Sequence, residues 1–178
     1  HGSDLCQRCA DSPLTIERIR SVFYFDGAIR QPIHHLKYQK RAVLVEPLGR
    51  LMAAYWGQSA ASIDVVVPVP LHESRRRQRG YNQAALLANA MARHIGVAVD
   101  DRTLVRNRAT ASQVQLNAQQ RMENVKQAFT CVDGGLRNRR VLLIDDVCTT
   151  GATLDACAQA LYAQDVQHVE ALTLARAL

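Results

Sequence analysis

The sequence VLLIDDVCTTGAT, residues 141–153, decides how this chain folds. Its first four residues, 141–144, are apolar and predict a buried strand. Two acids, Asp145 and Asp146, follow at the expected end of that strand, and residues 154–164 then have the alanine-rich composition of a helix. A strand, a turn and a helix N-terminus together form an anion site, because the first helical N–H groups have no partner within the helix.

The turn between this strand and this helix carries three hydroxyls and a glycine: Thr149, Thr150, Gly151 and Thr153. Glycine lets the backbone approach a ligand closely, and the hydroxyls add hydrogen-bond donors, so phosphate is the expected ligand. The two carboxylates would repel phosphate, but they suit the paired hydroxyls of a ribose or a bound metal ion. The segment therefore predicts a ligand with a phosphate and a sugar diol. The alternatives are acids that cap the helix and an acidic metal pocket.

A second informative stretch follows residues 64–67, Asp-Val-Val-Val, whose three valines predict a buried parallel strand. The turn 68–72, Pro-Val-Pro-Leu-His, ends that strand, and four arginines stand between residues 75 and 79. A rigid turn presents backbone N–H groups and the arginines supply positive charge, which together favour a pyrophosphate. The alternative is that these charges belong to the solvated start of a surface helix.

Strand and helix patterns alternate along the chain, which predicts an α/β fold with a mainly parallel central sheet and helices on both faces. Predicted strands cover residues 18–25, 64–67, 97–99, 128–132, 141–144 and 168–175, and predicted helices cover residues 29–38, 44–55, 83–95 and 154–164. Residues 101–120 show little periodicity and predict a long mobile loop. Ligands of such sheets bind beyond the carboxyl ends of the strands, so the two stretches above should share one rim.

The composition narrows the class of partner. The chain has 178 residues, which suits one domain with a small appendage, and its net charge of +6 is mostly arginine. A polyanionic small molecule or a nucleic-acid backbone fits that charge, although aromatic residues make up only 5% of the chain and predict no broad base-stacking platform. No apolar run approaches the roughly 20 residues of a membrane span, and no signal peptide is visible, so we expect a cytoplasmic protein without membrane insertion.

The pattern D-D-x-x-T-T-G-x-T between a strand and a helix resembles the ribose-phosphate signature of type I phosphoribosyltransferases. In that family the two acids hold the ribose hydroxyls of phosphoribosyl pyrophosphate (PRPP), and the turn surrounds its 5-phosphate. The resemblance makes Asp145 and Asp146 the catalytic acids. It implies that the rest of the PRPP site consists of Val147, Cys148, Thr149, Thr150, Gly151, Ala152 and Thr153.

Residues 64–83, DVVVPVPLHESRRRQRGYNQ, are similar to the ComF group of phosphoribosyltransferase-like proteins, which includes bacterial competence proteins and the GntX type. Further matching pieces occur in order from about Val22 to Arg176. The resemblance implies a type I phosphoribosyltransferase fold with a flexible loop over the site. It also implies two sets of phosphate contacts, a pyrophosphate site of Val69, Pro70, Leu71, Arg75 and Arg77 and a flexible loop with Arg108, Thr110 and Gln113.

The ComF resemblance implies a PRPP-binding protein associated with DNA uptake in natural transformation, with Mg2+ as the cofactor that accompanies PRPP. The acceptor base cannot be read from the sequence, and transfer itself stays open. The alternative is a non-catalytic module that senses PRPP or a nucleotide and binds single-stranded DNA. Proteins of the DNA-uptake machinery are further candidate partners.

The N-terminal segment carries a C-x-x-C pair, Cys6 and Cys9, which is half of a zinc-ribbon spacing. The ComF family usually begins with a four-cysteine zinc module, and this pair matches the second half of that module. We therefore expect residues 1–20 to be the remnant of a truncated zinc ribbon. On this chain alone a metal-free or partly occupied site is as consistent with the cysteine pair as a filled one, and Zn2+ is a candidate ligand of the full-length protein. Residues 21–178 are then the phosphoribosyltransferase-like domain.

Overall fold

The computed structural model describes residues 13–38, 42–58, 62–108, 125, 127–132 and 134–177. Within these ranges the strands are β1 (Arg18–Tyr24), β2 (Val65–Pro68), β3 (Ala98–Val99), β4 (Leu104–Arg106), β5 (Phe129–Cys131), β6 (Arg140–Cys148) and β7 (His168–Arg176). Five of them form a parallel sheet in the order β1-β7-β6-β2-β3. The other two, β4 and β5, pair antiparallel in a separate ribbon. The predicted, mainly parallel sheet is confirmed.

The helices of the described residues are α1 (Arg30–Tyr38), α2 (Val45–Trp56), α3 (Glu73–Arg79), α4 (Gln83–Ile95) and α5 (Ala152–Tyr162). Short 3-10 turns, Gly27–Ile29 and Ala42–Leu44, precede α1 and α2. The limits of α4 follow from its caps: the Asn82 side chain accepts from the N–H of Ala84 at 3.1 Å, and Gly96 ends the helix at a φ of +69°. None of the described helices is long and apolar enough to cross a membrane.

Both faces of the sheet are covered, as expected. In β6, Val141 and Leu143 belong to the core under α5, whereas Leu142 and Ile144 belong to the core under α1, α2 and α4. All four side chains are fully buried. Successive residues of a strand point to opposite faces, so a strand that is covered on both sides is apolar throughout. This double burial explains the continuous apolar run that opens the deciding sequence.

The predicted end of this strand was wrong, because β6 continues past Ile144 to Cys148. Its neighbour β7 keeps pairing with it there, with Asp145 opposite Thr173 and Cys148 opposite Arg176. Its other neighbour, β2, ends at Pro68 opposite Ile144. The two acids therefore lie within the strand, at the point where β6 loses its neighbour on one side.

The region predicted as a long loop is partly ordered into a strand. β4 lies within residues 101–120 and pairs with β5, which the sequence did predict as a strand. The flexible-loop residues Thr110 and Gln113 lie outside the described residues, as do Cys6 and Cys9. Their assignments to the flexible loop and to zinc stay predictions.

Candidate ligand-binding site

The acid pair faces two different environments. Asp145 is half-buried and Asp146 is only 3% exposed, and the backbone N–H of Asp146 donates to Asp145 Oδ1 at 2.8 Å. Lys37 of α1 places its Nζ 3.0 Å from Asp146 Oδ2, so this carboxylate has a cationic partner. Because the alternation of β6 turns neighbouring side chains to opposite faces, Asp145 is directed to the side of α5 instead.

The pKa of Asp145 is strongly shifted. Burial of its carboxyl and the negative charge of Asp146 raise the pKa of Asp145 to about 8, although the backbone N–H of Asp146 and the charge of Lys37 act in the opposite direction. Charging both carboxylates therefore costs free energy while no ligand is bound. A ligand that donates hydrogen bonds to them, or brings a cation, would relieve that cost.

The turn after the acids closes at Gly151, which has a φ of +85° and is the N-cap of α5. The Oγ1 of Thr150 accepts from the N–H of Ala152 at 3.2 Å. A Cβ built on Gly151 would lie 3.0 Å from the Cδ1 atoms of Ile19 and Leu14, so space and backbone conformation both select glycine here. The predicted site residues around it are half-buried (Val147, Thr149, Thr150 and Thr153) or buried (Cys148 and Ala152).

The predicted pyrophosphate turn lies beside the acids at the same edge of the sheet. Val69 donates its N–H to the carbonyl of Ile144 at 2.9 Å, one residue before Asp145, and its own carbonyl accepts from Asn82 Nδ2 at 2.9 Å. These two bonds hold the half-buried Pro70 and Leu71 next to β6. The two stretches singled out from the sequence therefore do share one rim.

The arginines that follow this turn separate into two groups. Arg77 is highly exposed, with 79% of its side chain accessible, and its Nε donates to Glu73 Oε1 at 3.0 Å along α3. Arg75 is half-buried and close to Arg106, whose pKa is lowered by burial first and then by the charge of Arg75. The charge of Asp145 raises the pKa of Arg106, which places this arginine near the acid as well. Arg106 thus lies within electrostatic range of both Arg75 and Asp145, whereas Arg77 is paired with Glu73.

Two basic residues that are not among the predicted site residues, Lys37 and Arg106, also lie near the acid pair. Arg106 ends β4, and its guanidinium lies 5.3 Å from the ring centre of Phe129 on β5. Lys37 belongs to α1, which precedes β2 and β6 in the sequence. The sequence did not predict the antiparallel ribbon that positions Arg106. A partial signal existed, because Arg106 stands two residues before the predicted loop residue Arg108, which is exposed. Among the residues described here, no group of three or more metal-binding side chains occurs.

Comparison with known structures agrees with this geometry. The fold is similar to that of glutamine PRPP amidotransferase from B. subtilis complexed with ADP and GMP, with a TM-score of 0.54 and 18% identity over 79% of this chain and 30% of the other. It is also similar to an allosteric regulatory enzyme of purine biosynthesis, with a TM-score of 0.51 and 19% identity over 79% and 30% of the two chains. The fold and its strand-end site define a protein of the type I phosphoribosyltransferase fold.

Sequence comparison narrows this class. Residues 81–178 match the phosphoribosyl transferase domain family. The chain is 33% identical to the DNA utilization protein YhgH of Salmonella typhi over its whole length and 80% of that protein. It is 36% identical to competence protein F of Haemophilus influenzae, over 97% of this chain and 78% of the other. The chain therefore belongs to the ComF-type phosphoribosyltransferase-like proteins of the phosphoribosyl transferase domain family.

Proposed function

We propose that this protein binds PRPP at the carboxyl edge of β6 and transfers its phosphoribosyl group to a nitrogenous base. The observation that carries the proposal is the continuous path from Asp145 and Asp146 through the hydroxyl turn to Gly151 at the start of α5. Carboxylates that accept from a sugar diol and a helix N-terminus that accepts phosphate stand next to each other in that order. Ribose 5-phosphate presents the same two groups in the same order.

Each part of PRPP has its own contacts in this proposal. Asp145 and Asp146 accept hydrogen bonds from the ribose hydroxyls, and residues 149–153 bind the 5-phosphate. The turn 69–71 binds the pyrophosphate together with Arg75 and Arg106, whose planar guanidinium groups suit phosphate oxygens. The described part of the chain holds no group of three or more metal-binding side chains, so Asp145 and Asp146 would hold Mg2+ together with the substrate. Mg2+ would then neutralise part of the charge on pyrophosphate.

The reaction would break the bond between C1 of the ribose and the pyrophosphate oxygen and form a bond between C1 and a nitrogen of the base. The base loses the proton of that nitrogen, and pyrophosphate leaves with the electron pair of the broken bond. Positive charge develops on the ring, which the carboxylate of Asp145 stabilises, and negative charge grows on the leaving group, which Arg75 and Arg106 stabilise. The chain needs no covalent nucleophile for this step.

Calorimetric titration with PRPP and Mg2+ tests the site. We expect saturable binding that weakens at least about tenfold in Asp145→Asn and in Asp146→Asn, since each variant loses a charge-assisted hydrogen bond to the diol. Asp165→Asn is the matched control, because it makes the same chemical change at the opposite end of the strands, where Asp165 pairs with the exposed Arg137. Absence of heat with the unchanged protein would refute the proposed site.

A panel of purine and pyrimidine bases then tests transfer. Release of pyrophosphate in the presence of one base, and not in its absence, is the expected result. Binding of PRPP without release for any base would support the second candidate function, a non-catalytic module that senses PRPP or a nucleotide.

That second function has its own support in the surface of α3. Arg76 and Arg77 are exposed there beside Arg75, and the net charge of the chain is +6. The relatives named a DNA utilization protein and competence proteins suggest that such a surface contacts single-stranded DNA during uptake. Contact with proteins of the uptake machinery belongs to the same proposal.

A further inference from the structure

The ion pair between Lys37 of α1 and Asp146 of β6 lies within the proposed sugar site. Lys37 Nζ is 3.0 Å from Asp146 Oδ2, and the two side chains are only 25% and 5% exposed. This carboxylate oxygen is buried and accepts no hydrogen bond from the residues that the structure describes. A buried charge is unfavourable unless it is paired, so the ammonium of Lys37 compensates the carboxylate of Asp146.

The charge of Lys37 acts on both acids. Burial and the charge of Asp146 raise the pKa of Asp145, and the charge of Lys37 is among the influences that lower it. The two carboxylates are also joined directly, because the backbone N–H of Asp146 donates to Asp145 Oδ1 at 2.8 Å. Lys37 therefore acts on the acid pair as a unit, in the way that a single bound cation would.

The fold holds the backbone of Lys37 at this place. The residue before it, Leu36, is fully buried, and its carbonyl accepts a hydrogen bond from the hydroxyl of Tyr81. The residue after Tyr81 is Asn82, which donates from Nδ2 to the carbonyl of Val69 at 2.9 Å. Residues 81 and 82 thus attach both the end of α1 and the proposed pyrophosphate turn, which fixes Lys37 relative to the rest of the site.

A fixed monocation beside two carboxylates has opposite effects on two kinds of ligand. A positive charge a few ångströms away repels a bare Mg2+ ion, and this repulsion is strong where water is partly excluded. An anionic sugar phosphate is instead repelled by the carboxylates, and the lysine reduces that repulsion. The carboxylate oxygens remain able to accept hydrogen bonds from sugar hydroxyls.

We propose that Lys37 is a built-in counterion of the acid pair, which makes the site select an anionic sugar phosphate over a bare divalent cation. This inference rests on the proposed function, because that function assigns the sugar phosphate to Asp145 and Asp146. Lys37 is a positioning and specificity-determining residue, since it acts through the acids. Without it, Mg2+ has to supply the missing positive charge.

Calorimetry with ribose 5-phosphate in EDTA, with ribose 5-phosphate plus Mg2+, and with Mg2+ alone tests this role. The unchanged protein should bind ribose 5-phosphate in EDTA, and Mg2+ should change that affinity by less than about threefold. Lys37→Gln keeps a hydrogen-bond donor for Asp146 but removes the charge. It should bind ribose 5-phosphate in EDTA at least about fivefold more weakly, recover the affinity in Mg2+, and bind Mg2+ alone at least about tenfold more tightly.

Three further variants separate charge from other causes. Lys37→Arg keeps the charge and should behave as the unchanged protein does toward both ligands. Lys37→Met removes the donor as well as the charge and should match Lys37→Gln. Arg50→Gln removes an exposed positive charge from α2, on the same face of the sheet, and should alter neither affinity. Thermal unfolding verifies that each variant is folded.

A role in folding alone would give a different result, because Lys37→Gln would then lose affinity for both ligands. That result, or affinities equal to those of the unchanged protein, would overturn the inference, as would a change confined to Lys37→Met. One arm needs no variant: if the unchanged protein binds ribose 5-phosphate only in Mg2+, Lys37 does not supply the charge. Failure of the proposed function is distinct, because the unchanged protein would then give no heat with ribose 5-phosphate or PRPP in any condition.

Discussion

Asp145 and Asp146 are neighbours in sequence, yet their charges are stabilised very differently. Asp146 has Lys37 as a partner at 3.0 Å, whereas burial and the charge of Asp146 raise the pKa of Asp145 to about 8. Binding and catalytic sites commonly contain an ionisable group whose pKa is strongly perturbed, so that its charged form is unfavourable. The cost is measurable as a dependence of stability on pH.

We expect Asp145→Asn to stabilise the protein at pH 9 and to have little effect at pH 5. The pKa of Asp145 rises from 3.8 to about 8 on folding, so between these values the folded chain keeps a proton that the unfolded chain has released. Stability contributed by this group is therefore lost as the pH rises, and the loss is complete above about pH 8. The asparagine variant cannot ionise and so avoids this loss of stability, which should raise Tm at pH 9 by at least roughly 2–4 °C.

Thermal unfolding at pH 5, 7 and 9 measures this effect. Asp165→Asn is again the control, because its carboxylate is exposed and its removal should give no gain that grows with pH. A constant difference between Asp145→Asn and the unchanged protein across this range would contradict the raised pKa of Asp145.

Gly151 is selected by both conformation and space, and a pair of variants separates the two causes. Gly151 and Gly96 both have a positive φ, but only at Gly151 would a Cβ meet other side chains, at 3.0 Å. Gly96→Ala should cost about 1 kcal/mol of unfolding free energy from backbone strain alone. Gly151→Ala should cost about 2 kcal/mol or more, because Ile19 and Leu14 must also move. Urea unfolding measures both, and equal costs would show that crowding is unimportant.

The residues of the site differ in how visible they are from the sequence. The acids and the hydroxyl turn are contiguous, so their order alone indicated a ribose phosphate. Lys37 contacts Asp146, and Arg106 lies within electrostatic range of Asp145, although both come from distant parts of the chain; only the fold reveals these relations. Arg77, which the sequence predicts as a pyrophosphate contact, pairs with Glu73 at the local i,i+4 spacing, and its contact with pyrophosphate stays a prediction.

At the level of elements, α5 does more than present its N-terminus to the proposed phosphate. Its residue Asp155 is only 6% exposed and accepts from the backbone N–H groups of Thr15 and Ile16, the latter at 3.1 Å. Gln159 Nε2 donates to the other oxygen of Asp155 at 2.8 Å. A buried carboxylate thus holds the segment before β1 against the helix that follows the turn.

Asp155→Ala should lower the free energy of unfolding by about 2–3 kcal/mol, because two backbone N–H groups lose their acceptor in a buried position. Asp155→Asn keeps one oxygen acceptor and should cost less. Urea unfolding measures the stability, and hydrogen exchange at Thr15 and Ile16 reports the local effect. Unchanged exchange at these two amides in Asp155→Ala would contradict the role assigned to the carboxylate.

The limits of the elements show where local sequence patterns are sufficient. α4 begins and ends where predicted, because its asparagine and glycine caps act within a few residues. The end of β6 was predicted too early. Its last residues pair with β7, but the polar side chains of Asp145 and Asp146 gave no sequence signal for a continuing strand. In α2 apolar character alone does not identify the inner face, because Leu51 is 46% exposed while Gly49 and Ala53 are buried.

At the level of the whole molecule, alternating strands and helices were enough to predict a parallel sheet covered on both faces. The order β1-β7-β6-β2-β3 could not be predicted in the same way, because it depends on pairings between strands that are far apart in the chain. The same order brings the ends of β2 and β6 together and so creates the rim on which the proposed site lies.

The charge distribution makes a prediction for binding of single-stranded DNA. If α3 contacts the DNA backbone, the double variant Arg76→Gln/Arg77→Gln should reduce the slope of log K against log salt by about 1.4, since each phosphate contact on a single strand contributes about 0.7. Arg137→Gln/Arg139→Gln removes the same charge from exposed positions at the other edge of the sheet. Equal loss in both double variants would indicate attraction by net charge and no defined DNA surface.

The contact of Leu14 and Ile19 with the turn at Gly151 has a thermodynamic consequence. A bound anion that restrained this turn would also restrain residues 14–19. Asp155 of α5 accepts hydrogen bonds from the backbone N–H groups of Thr15 and Ile16, so this segment is attached to the helix that follows the turn. Coupling of this kind is reciprocal. If a partner that binds residues 14–19 changes the affinity for the anion, the anion changes the affinity for that partner by the same factor. If the turn at Gly151 binds a phosphate as proposed, occupancy of that site and the order of residues 14–19 are therefore coupled in both directions.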